Sequence, residues 1–211
     1  VVFDIQDVGV RFYTYISTMH YVMEACAESN VEFMVLDRPN PNGHYVDGPV
    51  LTKGFESFVG KHRVPWVHGM TVGEYAQMIN SEGWLKHAVK CSLTIIRVQN
   101  YTHNSKYNVP VKPSPNLPNM RSIYLYSSLC IFEGTNISVG RGTDFPFQVY
   151  GHPKMQNTNF SFIPRSIKGA SKYPPFENQK CYGFDLRTLD IEQLKNTNKV
   201  SLEYLLKAYN N

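Results

Sequence analysis

Two short apolar runs flank one amphipathic stretch at the start of the chain, and that order leaves few architectures open. Val1-Val2-Phe3-Asp4-Ile5-Gln6-Asp7-Val8 opens in an apolar run with no polar lead-in, the pattern of a strand buried in a parallel sheet. Across residues 14–29, Ile16, Met19, Tyr21, Val22, Met23, Ala25 and Cys26 recur at helical spacing, and residues 31–36 read as a second buried strand. Strand, helix and strand within residues 1–36 make a βαβ unit, whose crossover is expected to be right-handed. Sheets of this kind place ligands beyond the carboxyl ends of their strands. Here those ends are residues 4–9 and 37–43, where the sequence turns polar. The opening pattern predicts a chain that starts partway through an α/β domain, with earlier strands and any targeting peptide upstream of Val1.

The rest of the chain extends this plan. Asp37-Arg38-Pro39-Asn40-Pro41-Asn42-Gly43 is a shaped loop, because its prolines remove backbone donors and restrict the residues before them. Thr71 with Glu74 three residues on has capping-box spacing and predicts a helix to about Ser81. Residues 92–98 read as a third strand, 109–118 as a proline-rich connection, 120–132 as a helix, 133–142 as a glycine-punctuated loop and 201–209 as a short helix. The texture changes after Gly151 to Asn, Lys, Ser, Pro and aromatics. That predicts a boundary between an α/β domain over 1–150, lacking its N-terminal part, and the truncated beginning of a smaller auxiliary domain over 151–211.

Composition excludes several classes. The chain has 211 residues, a formal net charge of +4, 42% hydrophobic and 18% charged residues, which describes a globular chain and not a disordered, collagenous or coiled-coil one. Its apolar runs fall short of the roughly 18–20 residues of a membrane span. Its scattered Lys and Arg do not form a nucleic-acid footprint. Cys26, Cys91, Cys130 and Cys181 are widely spaced without CxxC, and the seven histidines form no HExxH, so no metal is expected. There is no P-loop, GxGxxG or GxSxG, and no cofactor is expected. Aromatics, at 13%, suit packed cores and sugar-binding clefts alike.

What remains is a set of carboxylates beside amides, arginines and tyrosines. Asp4, Gln6 and Asp7 end the first strand, with Arg11, Tyr13 and Tyr15 just beyond; Asp37, Arg38, Asn40 and Asn42 end the second; Glu133, Asn136 and Arg141 lie in the glycine loop. Such a set suits a polyhydroxylated ligand, since carboxylates and amides bond hydroxyls, rings stack on sugar faces and arginine holds a carboxylate. A carboxyl kept protonated by partial burial can act as a general acid in glycoside cleavage. Structural roles compete at each position. Asp4 can cap the following helix or pair with Arg11, Asp37 and Arg38 can order their own loop, Glu133 can pair with Arg141 or cap a turn, and His68 can be a loop hydrogen bonder.

Five strings carry a more specific signal: Phe-Asp-Ile-Gln-Asp-Val-Gly-Val-Arg-Phe-Tyr-Thr-Tyr-Ile (3–16), Leu-Asp-Arg-Pro-Asn-Pro-Asn-Gly (36–43), His-Gly-Met-Thr-Val-Gly-Glu (68–74), Pro-Ser-Pro-Asn-Leu-Pro (113–118) and Phe-Glu-Gly-Thr-Asn-Ile-Ser-Val-Gly-Arg-Gly-Thr (132–143). In this order they resemble the bacterial exo-β-N-acetylmuramidase family. The resemblance implies a Rossmann-like, partly parallel sheet flanked by helices, followed by a smaller auxiliary domain, with the active site in the cleft between them. It implies hydrolytic release of N-acetylmuramic acid from the non-reducing end of peptidoglycan fragments, in cell-wall recycling. Glu133, Asp7 and Asp4 are then the catalytic candidates. Asn116 and Thr135, inside two of the strings, join Gln6, Arg11, Tyr13, Tyr15, Asp37, Arg38, Asn40, Asn42, Asn136 and Arg141 as substrate-binding candidates. The lactyl carboxylate of the sugar would fall to Arg38 or Arg141. The family's upstream Glu-His-Gly segment, a further candidate for the chemistry, lies before Val1, so this stretch alone is not expected to carry full activity. The implied partner is a small carbohydrate, with no nucleic acid and no membrane span, and the implied compartment is the cell envelope or beyond it, periplasmic or secreted. A non-catalytic muropeptide-binding protein on the same fold is the alternative.

Overall fold

β1 (Val2–Phe3), α1 (Tyr15–Glu28) and β2 (Phe33–Leu36) form the expected βαβ unit in the computed structural model, which describes residues 1–211. α2 (Val72–Ser81) leads to β3 (Leu93–Ile96), and the three strands make one parallel sheet in the order β1-β2-β3, with Met34 opposite both Val2 and Thr94. The α/β class with a parallel sheet flanked by helices follows. α1 buries Ile16, Met19, Met23 and Cys26, the i, i+3, i+7 stripe, against Phe3, Phe33 and Val35; α2 adds Tyr75, Ala76 and Ile79. The start of α2 is the capping box read from the sequence: Thr71 Oγ1 accepts the Glu74 N–H at 3.2 Å and Glu74 Oε2 accepts the Thr71 N–H at 2.8 Å. Such a cap contributes about 1 kcal/mol.

β1 is shorter than its apolar run. Only Val2 and Phe3 pair, because from Asp4 onward side chains replace the ladder: Asp4 bonds Arg38, and Gln6 Nε2 donates to the carbonyls of Asp7 and Pro39.

The chain divides into two compact units, Val1–Tyr107 and Asn108–Asn211. The second contains α3 (Met120–Leu129), which tightens into a 3₁₀ turn at Cys130–Gly134, and β4 (Val149–His152), β5 (Phe160–Phe162) and β6 (Cys181–Asp185), an antiparallel sheet in the order β4-β6-β5. α4 (Ile191–Lys195) and α5 (Glu203–Tyr209) complete it. The boundary expected at 150/151 falls inside β4. The texture change that marked it is a switch from helix to antiparallel sheet within one unit. Phe132, just after α3, stacks on Tyr150 of β4 at 5.1 Å, and Tyr150 stacks on Phe184 of β6 at 5.0 Å, so one core spans both sides of that position. No helix is long and apolar enough to cross a membrane.

Gly151 and Gly183 face each other across β4 and β6. A Cβ on Gly183 would run into the Tyr150 carbonyl and the Gly151 Cα, both main chain, whereas a Cβ on Gly134 meets nothing within 4 Å. Main chain in a paired ladder cannot yield as a side chain can. Gly183→Ala is therefore expected to cost about 2 kcal/mol or more in denaturant unfolding, and Gly134→Ala less than about 0.5 kcal/mol. Equal effects would contradict the packing of the two strands.

Candidate functional site

The polar residues at the carboxyl ends of β1 and β2 divide into two groups. In the first, side chains are committed to holding the loops. Asp37 Oδ1 accepts the N–H groups of Arg38 at 3.0 Å and Gly73 at 2.7 Å, and Oδ2 accepts the Thr71 hydroxyl at 2.8 Å, which ties the end of β2 to the start of α2. Asn40 is buried, with Oδ1 accepting the Asn42 N–H and Nδ2 donating to the Met70 carbonyl. Asn42, also buried, donates to the Val8 carbonyl at 2.9 Å. Arg11 donates through one terminal nitrogen to the carbonyls of Pro49 and Val64. Tyr13 and Tyr15 stand edge to face at 4.8 Å, Tyr13 buried. The partner of Asp4 is Arg38, whose Nε and a terminal nitrogen both reach Oδ1, at 2.7 and 2.6 Å.

Asp7 forms the second group with His68. Its side chain is 6% exposed and that of His68 0%. Asp7 Oδ2 accepts the Gly9 N–H at 2.6 Å, and Oδ1 is buried with no hydrogen-bond partner. Burial raises the Asp7 carboxyl from its ordinary value near 3.8 to about 7, against the lowering effect of the Gly9 and Val8 N–H groups. His68 Nδ1 accepts the Met70 N–H at 3.2 Å, which assigns the ring proton to Nε2, the nitrogen 3.7 Å from Asp7 Oδ2. Burial lowers His68 to about 3, so its ring is neutral at pH 7. At 3.7 Å a neutral ring makes a polar contact with Asp7, not an ion pair. The arrangement is chemically specific: a carboxyl that holds its proton near neutral pH, one oxygen unengaged, beside a neutral imidazole.

A buried polar chain runs on from this pair. The His68 and Tyr75 rings meet edge to face at 4.9 Å; the Tyr75 hydroxyl lies 3.0 Å from His62 Nδ1, His62 Nε2 lies 2.9 Å from His20 Nδ1, and His20 Nε2 lies 3.5 Å from the Glu24 carboxylate. The carboxylate, an acceptor, fixes the direction. His20 carries its proton on Nε2, His62 donates from Nε2 to His20 Nδ1, and Tyr75 donates to His62 Nδ1. Burial, with smaller contributions from His20 and Lys61, lowers His62 to about 3, and burial with Lys61 lowers His20 against the pull of Glu24. Sequence reasoning favoured a loop hydrogen-bonding role over a catalytic one for His68 and did not single out Tyr75, His62 or His20. The i, i+4 spacing of His20 and Glu24 was legible, but the other links join residues 13 and 42 apart.

In the second unit, Glu133 stands in the 3₁₀ turn as an exposed residue, with Oε1 accepting Arg141 Nε at 2.5 Å and Oε2 accepting the Cys130 thiol at 3.3 Å. Its side chain is 33% exposed and that of Arg141 28%, so the pair is partly buried. Arg141 lies 5.0 Å over the Phe147 ring. Thr135 Oγ1 donates to the Phe132 carbonyl and accepts the Ile137 N–H, and Asn136 is exposed. Asn116 is buried and donates to the Ala170 carbonyl at 2.8 Å. It lines a cavity of about 400 Å3 where the 113–118 and 132–143 strings meet through Pro115, Pro118, Gly142 and Thr143.

Residues 1–121 match the family model described as exo-β-N-acetylmuramidase NamZ, N-terminal, and residues 124–211 the one described as exo-β-N-acetylmuramidase NamZ, C-terminal. Peptidoglycan β-N-acetylmuramidase NamZ of Bacillus subtilis (strain 168) is 39% identical over 208 residues, covering 92% of this chain and 49% of that protein. A crystal structure of a DUF1343 family protein from Bacteroides fragilis NCTC 9343 superimposes with a TM-score of 0.94 at 53% identity, over 100% of this chain and 60% of that one. A second DUF1343 family structure from the same organism gives 0.75 at 30% identity, over 90% of this chain and 53% of that one. The chain thus spans about half the length of the curated relative it matches.

The buried groups set a pH dependence of stability. Between about pH 4 and 6 the unfolded chain binds protons at His62 and His68 that the folded chain refuses, so these two remove stability as pH falls. Asp7 acts in the opposite sense, since its folded carboxyl holds a proton the unfolded one has lost. Asp7→Asn deletes that offset, and the rise of unfolding free energy with pH over this window should steepen by about 1.4 kcal/mol per pH unit. Urea unfolding at pH 4.5 and 6 checks it, and parallel wild-type and variant slopes would contradict the burial of a protonated Asp7.

Proposed function

The chain belongs to the exo-β-N-acetylmuramidase NamZ family, and from that premise we propose that it contributes the proton donor of a glycoside hydrolase that releases N-acetylmuramic acid from the non-reducing end of peptidoglycan fragments. The observation that carries the reading is Asp7, a carboxyl at the carboxyl end of a parallel strand, raised to about 7 by burial and with Oδ1 unengaged. A glycosidase needs a carboxylic acid that keeps its proton at the working pH and gives it to the leaving oxygen as the C1–O bond breaks. Asp7 meets the first part of that requirement, keeping its proton, through desolvation. The Gly9 N–H fixes its other oxygen, and neutral His68 beside it adds no positive charge that would strip the proton. Water then supplies the hydroxyl at C1.

Glu133 has a different role in this reading. Its carboxylate is committed to Arg141, an arrangement that suits a fixed charge and not a proton donor. The Asp4–Arg38 pair serves likewise, holding the loop after β2 against the end of β1. A peptidoglycan substrate is the support for a place in the cell envelope or beyond it.

The test is kinetic, on the complete protein, with a chromogenic N-acetylmuramic acid glycoside beside its N-acetylglucosamine analogue. The muramic acid glycoside should be cleaved selectively, with kcat/KM falling about tenfold per pH unit above pH 7 as Asp7 loses its proton. Asp7→Asn should lower kcat about 10²-fold or more and abolish that alkaline limb, while Glu133→Gln lowers kcat less and leaves the limb in place. Near-normal turnover in Asp7→Asn would remove Asp7 from the chemistry.

A further inference from the structure

Two buried polar atoms around one carboxyl group lack a hydrogen-bond partner, Asp7 Oδ1 and His68 Nε2. The His68 nitrogen lies 3.7 Å from the other carboxyl oxygen, Asp7 Oδ2. Its proton is fixed there, because Nδ1 is engaged as the acceptor of the Met70 N–H. The ring is held as well, fully buried and set edge to face against Tyr75 at 4.9 Å. A buried N–H without an acceptor costs the free energy of its lost hydration. The fold therefore keeps beside Asp7 a donor that the protonated carboxyl does not use.

That donor gains an acceptor when Asp7 gives up its proton. Oδ2 already accepts the Gly9 N–H at 2.6 Å, which leaves the proton to the unengaged Oδ1. In the proposed cleavage the Oδ1–H bond breaks as the glycosidic oxygen takes the proton and keeps the electron pair of the C1–O bond. The charge left on Asp7 then spreads over both carboxylate oxygens. From 3.7 Å, Nε2 and Oδ2 need to approach by about 0.8 Å to reach an ordinary N–H···O distance, a movement that rotation of the carboxyl group supplies. An interaction that forms only as charge develops stabilises the transition state and not the ground state, which is the condition for acceleration.

From this geometry we infer that His68 is a positioning residue for the reaction, a neutral donor whose Nε2–H closes onto Asp7 Oδ2 as the proton leaves Oδ1. The inference rests on the proposed role of Asp7 and adds the group that receives the charge left behind. The sign of its effect separates it from a packing role. Losing a donor to the carboxylate makes Asp7 hold its proton more tightly, whereas losing a wall that excludes water makes it hold the proton less tightly.

Most groups facing the pair keep one charge state between about pH 6.5 and 9. Burial raises the Tyr13 and Tyr75 phenols and lowers His62 and His20, and Arg11, which interacts with Tyr75, stays cationic. His103 is the titrating neighbour. It bonds the Gly69 carbonyl at 2.8 Å and Glu74 at 3.0 Å, and the Glu74 bond raises it above its ordinary 6.5. His103→Gln is the control for its part.

The experiment is NMR of the His68 imidazole in the complete protein, with the Asp7 carboxyl followed by carbon-13 alongside. The Nε2–H signal should move downfield as Asp7 ionises, with the same midpoint, and do so equally in His103→Gln. A signal that does not follow Asp7 overturns the inference. Two variants read the same contact. In His68→Phe the Asp7 midpoint and the alkaline limb of kcat/KM should rise by about one pH unit and kcat fall about tenfold, with KM changed less than about twofold. His68→Gln, which restores an N–H at similar reach, should return most of both. An unchanged or lowered midpoint in His68→Phe overturns the inference. So does a rise that His68→Gln leaves in place, since the loss of the donor then does not account for it. Asp7→Asn is read separately. If it keeps near-normal turnover while the Nε2–H follows Asp7 in the wild type, the acid role falls and the contact stands; if it loses turnover and the Nε2–H does not respond, the inference about His68 alone falls.

Discussion

Removing polar side chains from water is the constraint around which the first unit is organised. Asp7, His68, Tyr75, His62 and His20 are each at most 5% exposed. Burying such groups costs several kcal/mol apiece unless they are bonded or give up their charge. The fold uses both remedies. Tyr75, His62 and His20 bond one another in a single direction set by Glu24, and the histidines and Asp7 shift toward their neutral forms. The exceptions are Asp7 Oδ1 and His68 Nε2, both buried and without a hydrogen-bond partner. A group left so in a well-satisfied surrounding is a candidate for chemistry, since strongly shifted groups concentrate where function needs them.

The parallel sheet makes this arrangement reachable. β1, β2 and β3 run the same way, so the loops leaving β1 and β2 emerge at one end. Asp37, Asn40 and Asn42 use their side chains to lock those loops to α2 and to Val8, and that scaffolding holds Asp7 in place. Many polar residues in the motif strings are therefore structural, although they lie in the right region. Arg141 and Glu133 in the second unit, like Arg38 and Asp4 in the first, satisfy each other.

Local periodicity made much of the fold legible. The helical stripe of residues 16–26, the capping box of Thr71 and Glu74, and the apolar runs of β2 and β3 are short-range patterns, and each element lies within a few residues of its expected place. β4, β5 and β6 were not legible, because their pairing depends on contacts between distant residues and on the facing glycines 151 and 183. Of the candidate site, Asp7 was named from its place at a strand end, but its burial was not readable. His68, whose Nε2 lies 3.7 Å from the Asp7 carboxylate, is more than sixty residues away in sequence. The ion pair of Glu133 with Arg141 was foreseen as one alternative, and the structure adopts it.

The central claim is that Asp7 carries a proton at neutral pH because the fold keeps water from it. Carbon-13 NMR of the aspartate side-chain carboxyls in the complete protein, with the Asp7 signal identified by its loss in Asp7→Asn, measures this directly. The account predicts a titration midpoint near 7. A midpoint near 4, the ordinary value of an exposed aspartate, would contradict it.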